Sequence, residues 1–155
     1  MKLHIVAVGT KMPAWVQTAY SEYEKRLSRE WKPQLHELDM ARRSKNTSTD
    51  HLKKREAEHI LSLIPSSATV IALDVQGKSW STEKLAEEMH AWPLNAHDVY
   101  WLIGGPDGLA PECLARANQS VSLSAMTLPH PLVRIVLIEQ LYRGWSILNH
   151  HPYHK

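Results

Sequence analysis

His130, Arg134, Arg143, His150, His151, Tyr153 and His154 crowd the C-terminal stretch of the chain with groups able to move a proton or hold an anion. An imidazole titrates near neutrality, at about 6.5, so it can take a proton from a weakly acidic N–H. A cationic group beside it can stabilise the anion that remains. Each of these residues also has a structural role open to it. His130 stands between Pro129 and Pro131 and suits a turn as readily as a substrate contact. Arg134 and Arg143 lie in an otherwise apolar segment, where a charge needs a partner, and an ion pair with Glu139 is the structural alternative. The run His150-His151-Pro152-Tyr153-His154-Lys155 could fray as termini do. It is not expected to hold a metal, because Pro152 breaks the helical spacing and no cysteine or carboxylate cluster accompanies it. Cys113 has no activating neighbour and reads as a small buried residue. Asp74 and Asp107 stand near strand ends, with Asp107 fitting a Pro-Asp-Gly turn better than a general base.

Those side chains need elements to carry them. Val99 to Ile103 is a short apolar run that enters Gly104-Gly105-Pro106-Asp107-Gly108, a buried strand ending in a turn with unusual backbone angles. Val121 to Leu128 is a second apolar run, interrupted by Ser122, Ser124 and Thr127, and Pro131 suits the first turn of a long helix. From Leu132 to Leu148 apolar residues fall on nearly every helical face, so the helix must be covered on two sides. A symmetric partner subunit is the expected second cover. Upstream, Leu3 to Val8 reads as a strand, and Trp15, Ala19, Tyr23 and Leu27 mark the inner face of a helix. Gln34 to Asp39 is a weaker strand. A helix from about Asp50 to Ile64 turns Leu52, Ile60, Leu63 and Ile64 inward, and Pro65 closes it. Ala68 to Asp74 is a strand covered on both faces. Ser81 then caps a helix carrying Leu85, Met89 and Trp92 along one side. The alternation predicts an α/β fold with a mainly parallel sheet, helices on both faces, and ligands at the carboxyl ends of the strands.

At 155 residues the chain is expected to form one domain, residues 1–155. No apolar run approaches the roughly 20 residues of a membrane span, and the N-terminal run is too short for a secretory signal, so a cytoplasmic location is expected. The single cysteine rules out an internal disulfide framework. Net charge is +2, but residues 1 to 60 carry 12 Lys and Arg against 8 Asp and Glu, so the basic excess lies in the first half. Arg42, Arg43, Lys45, Lys53, Lys54 and Arg55 surround a polar Asn46-Thr47-Ser48-Thr49 loop, a solvated face that could also track a phosphate backbone. Neither G-x-G-x-x-G after the first strand nor G-x-x-x-x-G-K-[ST] is present, which excludes a standard dinucleotide site and a P-loop.

LIGGPDGL, SLSAMTLPHPLVR and the terminal HHPYHK, in that order, resemble the SPOUT class of S-adenosylmethionine-dependent RNA methyltransferases, and within it the ribosomal RNA large subunit methyltransferase H family. The resemblance implies methylation of N3 of a pseudouridine in large-subunit rRNA of the assembled ribosome, by a homodimer whose C-terminal segment forms a trefoil knot. It places the bent S-adenosylmethionine among Leu73, Gly104, Gly105, Leu123, Ser124, Ala125, Met126, Thr127 and Leu128. Glycines would let backbone approach that ligand, and apolar side chains would sandwich its adenine. On the substrate side the resemblance favours Tyr153 for stacking on or bonding the base and His154 for proton removal, with His130 and Arg143 as substrate contacts. A non-catalytic, ribosome-associated RNA-binding module of the same fold is the alternative. A small-molecule α/β enzyme, its basic loop incidental, is a third.

Overall fold

The computed structural model describes residues 1–42 and 44–155, so Arg43 of the basic cluster lies outside the described residues. Among the described residues, β1 (Leu3–Val8), β2 (Gln34–Leu38), β3 (Thr69–Ser79), β4 (Val99–Ile103) and β5 (Gln119–Ser122) form one parallel sheet in the order β2-β1-β4-β3-β5. Strand alternation splits the interior in two. Leu3, Ile5, Val99, Trp101 and Ile71 face the side of α1 (Ala14–Glu24), α3 (Thr82–Asn95) and α5 (His130–Leu148), where Tyr20, Met89, Leu137 and Ile138 meet them. Val6, Val8, Tyr100, Leu102 and Val70 face the other side, against Ala57 and Ile60 of α2 (Thr49–Ser62) and Cys113 of α4 (Pro111–Arg116). The central strands are buried on both faces, hence the unbroken apolar runs that mark them in the sequence.

Ser48 and Ser81 cap α2 and α3, each accepting a hydrogen bond from the backbone N–H three residues on, His51 and Lys84. Three expectations need correction. In α1 the buried side chains are Val16 and Tyr20, while Trp15 is 55% exposed and Ala19 and Tyr23 are only partly covered. Leu27, just past the helix, is buried and Tyr23 packs against the core as expected, so only the first two positions are one residue off, which turns them by about 100°. In α2 the inner face is Leu52, Glu56, Ala57 and Ile60, and the helix ends at Ser62, leaving Leu63 and Ile64 partly covered beyond it. The third correction concerns β3, which does not end at Asp74. Leu73 pairs with Val121 and so does Lys78, so the chain between them leaves the ladder before β3 resumes to Ser79. Gly77 ends that excursion against β5, where a Cβ would stand 2.6 Å from the Ser120 carbonyl carbon. The excursion stands at the sheet's carboxyl edge, where it forms a wall.

Arg134 ties α5 to the far edge of the sheet. It is 2% exposed, pairs with Glu37 of β2, and donates from Nη2 to the Gly9 carbonyl at 2.7 Å. Glu139 is therefore not its partner. No helix among the described residues is long and apolar enough to cross a membrane.

Candidate active site

A cavity of about 650 Å³ opens at the carboxyl ends of β3, β4 and β5. Its floor is the turn after β4. Gly108 donates its N–H to the Gly105 carbonyl at 2.9 Å, closing a β-turn with Pro106 and Asp107 at the corners, and Gly108 takes a positive φ of 81°. Gly104 has a different requirement: a Cβ there would lie 2.6 Å from the Gly108 carbonyl carbon, so only glycine lets the two backbones pass. One wall is the loop after β5. Ser122 Oγ donates to the Ser124 carbonyl at 2.9 Å, and Ser124 Oγ accepts from the Met126 N–H at 2.9 Å, so these serines hold the loop's shape. The other wall is the β3 excursion, Asp74, Val75 and Gln76.

Leu73, Gly104, Gly105, Leu123, Ser124, Met126, Thr127, Leu128 and His130 all line this cavity. Ala125 is exposed and does not, and Met126 reaches the rim with 78% of its surface free. Lys53, Leu109, Leu114 and Val133 also line it. Lys53 stands out in the sequence only as one of the basic cluster, and Leu109, Leu114 and Val133 not at all, because each sits on a helix or loop whose placement only the fold decides. His130 Nδ1 is buried without a hydrogen-bond partner among the described residues, and burial, then the nearby Arg134 cation, lowers its pKa.

The C-terminal candidates gather elsewhere, on the distal half of α5. Arg143 lies 13 residues past His130, about 20 Å along the helix at 1.5 Å per residue. Glu139 is the hub of this group. Its Oε1 accepts from Arg143 Nε at 2.9 Å and from the Tyr153 hydroxyl at 3.0 Å, and its Oε2 accepts from Gln140 Nε2 at 2.8 Å. The Arg143 guanidinium also stands 5.0 Å from the centre of the Tyr153 ring. Burial, followed by the Glu139 carboxylate, pushes the Tyr153 hydroxyl up to about 12, so it is a neutral donor. The tail is not frayed. Its 3-10 turn, Pro152–His154, packs on Tyr142, whose ring centre is 4.5 Å from that of Tyr153.

Ser146 orders His154. Its Oγ lies 2.8 Å from the His151 carbonyl and 2.9 Å from His154 Nδ1. A carbonyl only accepts, so the single hydroxyl hydrogen goes to His151, and His154 must donate from Nδ1. In neutral His154 the proton is thereby on Nδ1, leaving Nε2 as the basic nitrogen. His150 takes a positive φ of 52° at the turn after α5. No group of three or more His, Cys, Asp or Glu able to hold a metal is found among the described residues.

A family model described as predicted SPOUT methyltransferase matches residues 1–154. A protein of Saccharophagus degradans named Ribosomal RNA large subunit methyltransferase H is 56% identical over 155 residues, covering 100% of both chains. One of the same name from Hahella chejuensis is 53% identical, over 100% of this chain and 99% of its own. The solved structure of a probable methylase family protein from Haemophilus influenzae superposes with a TM-score of 0.60, over 99% of this chain and 70% of that one. At 15% identity that likeness speaks for the fold alone. By full-length similarity, the chain belongs to the SPOUT methyltransferase family, among the ribosomal RNA large subunit methyltransferase H proteins.

Proposed function

We propose that this single-domain protein is an S-adenosylmethionine-dependent methyltransferase acting on N3 of a pseudouridine in large-subunit rRNA, within the assembled ribosome in the cytoplasm. The observation that carries the reading is the cavity at the strand ends, because the GGPDG turn and the SLSAMTLPH loop, far apart in sequence, meet there. Its residues fit the ligand. About 650 Å³ is within the roughly 300–1,000 Å³ of small-molecule sites. Leu73, Leu123 and Leu128 offer apolar walls for a flat heterocycle, and the loop backbones offer hydrogen-bonding groups for its edge. His130 Nδ1, without a hydrogen-bond partner among the described residues, is available to meet a polar atom. When bound, S-adenosylmethionine supplies a methyl group already activated by its sulfonium.

The remaining work is alignment and proton removal. A pseudouridine N3–H ionises above neutral pH, so a base must take the proton as the nitrogen reacts. His154 Nε2 is the acceptor in this reading, Tyr153 donates to or stacks on the base, and Arg143 meets substrate charge. His130 contacts substrate from the cavity side. Met126 and Ala125, exposed on the loop, are positioned to close over the ligand.

A homodimer explains the outer face of α5. Leu132 is 38% exposed, and Ile135, Val136 and Ile147 are only partly covered by their own chain. A partner seated there would cover them and bring a second tail towards the cavity. The C-terminal segment, in this reading, threads a trefoil knot formed with the Gly104 and Leu123 loops. The basic residues Arg42, Lys45, Lys53, Lys54 and Arg55 supply a face for the rRNA backbone.

Incubation with methyl-labelled S-adenosylmethionine and ribosomes lacking the modification, followed by nucleoside digestion and mass analysis, tests the proposal. Label in a methylated pseudouridine is expected. Label in another nucleoside overturns the specificity, and absence of label despite cofactor binding overturns the acceptor.

A further inference from the structure

A second, smaller cavity of about 290 Å³ adjoins the first and shares Ser122 and Leu123 with it. Its other walls include Trp80, Trp101, Leu85, Leu137, Thr82 and Gln140. The two indoles meet edge to face, with ring centres 6.2 Å apart. Trp101 is buried, and its N–H has no partner among the described residues. Flat apolar walls with a few hydrogen-bonding groups suit a planar ring whose edge is polar.

The polar side of this cavity is wired to the C-terminal group. Thr82 Oγ1 donates to Gln140 Oε1 at 2.7 Å, Gln140 Nε2 donates to Glu139 Oε2 at 2.8 Å, and Glu139 Oε1 holds Arg143 and Tyr153. A carboxylate only accepts, which fixes the amide with its nitrogen towards Glu139 and its oxygen towards Thr82. Among the described residues, one amide N–H and one carbonyl lone pair of Gln140 are left without a partner. Together they match a ring edge that presents a carbonyl beside an N–H.

From this placement we infer that the smaller cavity receives the acceptor pyrimidine, extruded from the RNA, with Trp80 as its stacking wall and Gln140 reading its edge. This rests on the RNA-methylating reading and deepens it. An acceptor must lie within reach of both the methyl donor and the groups that handle its proton. The cavity adjoins the donor's pocket through Ser122 and Leu123, and Gln140 in its wall bonds Glu139, which in turn holds Tyr153 and Arg143 of the C-terminal group. Extrusion also lets a small protein reach one base within a structured RNA.

Two measurements decide it. In the first, saturation-transfer NMR uses pseudouridine nucleoside as the probe with the full protein loaded with S-adenosylhomocysteine. Transfer from the protein to the pyrimidine ring is expected, retained in Trp80→Phe and lost in Trp80→Ala. No transfer, or equal transfer in Trp80→Ala, overturns the assignment. In the second, Trp80→Ala and Gln140→Leu are assayed on ribosomes at saturating S-adenosylmethionine. Each should lower kcat/KM about ten-fold or more while Trp80→Phe restores most of it, the size of a lost base stack. S-adenosylmethionine affinity should stay within about two-fold of wild type. Affinity that falls in step with activity makes the cavity an extension of the cofactor site and overturns the inference. If wild type methylates no ribosomal nucleoside, the broader function falls, while the nucleoside experiment still decides the cavity.

Discussion

Ser146 shows how one hydroxyl can set the chemistry of a neighbour. It is fully buried, and its only hydrogen is committed to the His151 carbonyl, so it can only accept from His154. Ser146→Ala frees His154 to place its proton on Nε2 and to turn. Methylation should fall about ten-fold or more, in kcat rather than in KM. Cofactor binding should be unchanged, and the stability loss should be about 2 kcal/mol for the two hydrogen bonds lost. An unchanged rate over the full pH range would remove His154 from proton transfer. His130 and His36 give a separate prediction. Burial lowers both pKa values, with Arg134 adding to the effect at His130 and His4 at His36. A histidine held below its unfolded pKa binds fewer protons folded than unfolded, so stability is full above about 6.5 and is lost as pH falls below it. Thermal unfolding between pH 7.5 and 5 should show the midpoint dropping, and His130→Gln should flatten part of that slope. A slope unchanged in the variant would mean that His130 does not carry it.

The strands are legible because β1, β3 and β4 are buried on both faces and rich in apolar residues, and the α3 cap because Ser81 stands just before its helix, whereas Ser48, the α2 cap, reads in the sequence only as part of a polar loop. Other features carry no local signal. The pair Arg134–Glu37 joins residues far apart in the chain, so nothing local announces it, whereas Arg143 and Glu139, four residues apart, form the pair that helical spacing offers. The β3 excursion that walls the cavity depends on how β5 pairs, which Asp74 and Gly77 announce only as a strand end. Glu139 read as a structural counter-ion, whereas its place at the centre of the Arg143, Tyr153 and Gln140 contacts follows from how the tail folds back on α5. The two glycines of the turn after β4 were both read as ligand-facing, yet they differ. At Gly104 a Cβ would collide with backbone at 2.6 Å, while at Gly105 it would meet a Val8 methyl at 3.2 Å, a side chain able to yield. Gly104→Ala should therefore open the turn and weaken S-adenosylmethionine binding about ten-fold or more, with Gly105→Ala closer to wild type. Calorimetric titration checks this, and equal affinities in the two variants would show that the turn does not shape the site.

At the scale of the whole molecule, α5 links every part of the proposed reaction. Its first turn borders the larger cavity at His130 and Val133, its middle borders the smaller one at Val136 and Gln140, and its distal half carries Glu139 and Arg143. Its inner side is spent on the core, where Leu137, Ile138 and Leu141 are almost completely buried. The less covered side carries Leu132, Ile135 and Val136, of which Val136 lines the smaller cavity, so a subunit seated there would also shield that cavity from water. Ile135 is the sharpest probe, since it is partly covered and lines neither cavity. Ile135→Asp would place a carboxylate in the middle of the buried contact, at a cost of several kcal/mol if the interface forms there. Sedimentation should find wild type as a dimer and the variant as a monomer. S-adenosylmethionine should still raise the midpoint of that monomer, because the cavity proposed for it is lined by one chain, while ribosome methylation collapses. If the variant stays dimeric and active, subunits associate through another surface and one chain's own tail must serve its own cavity.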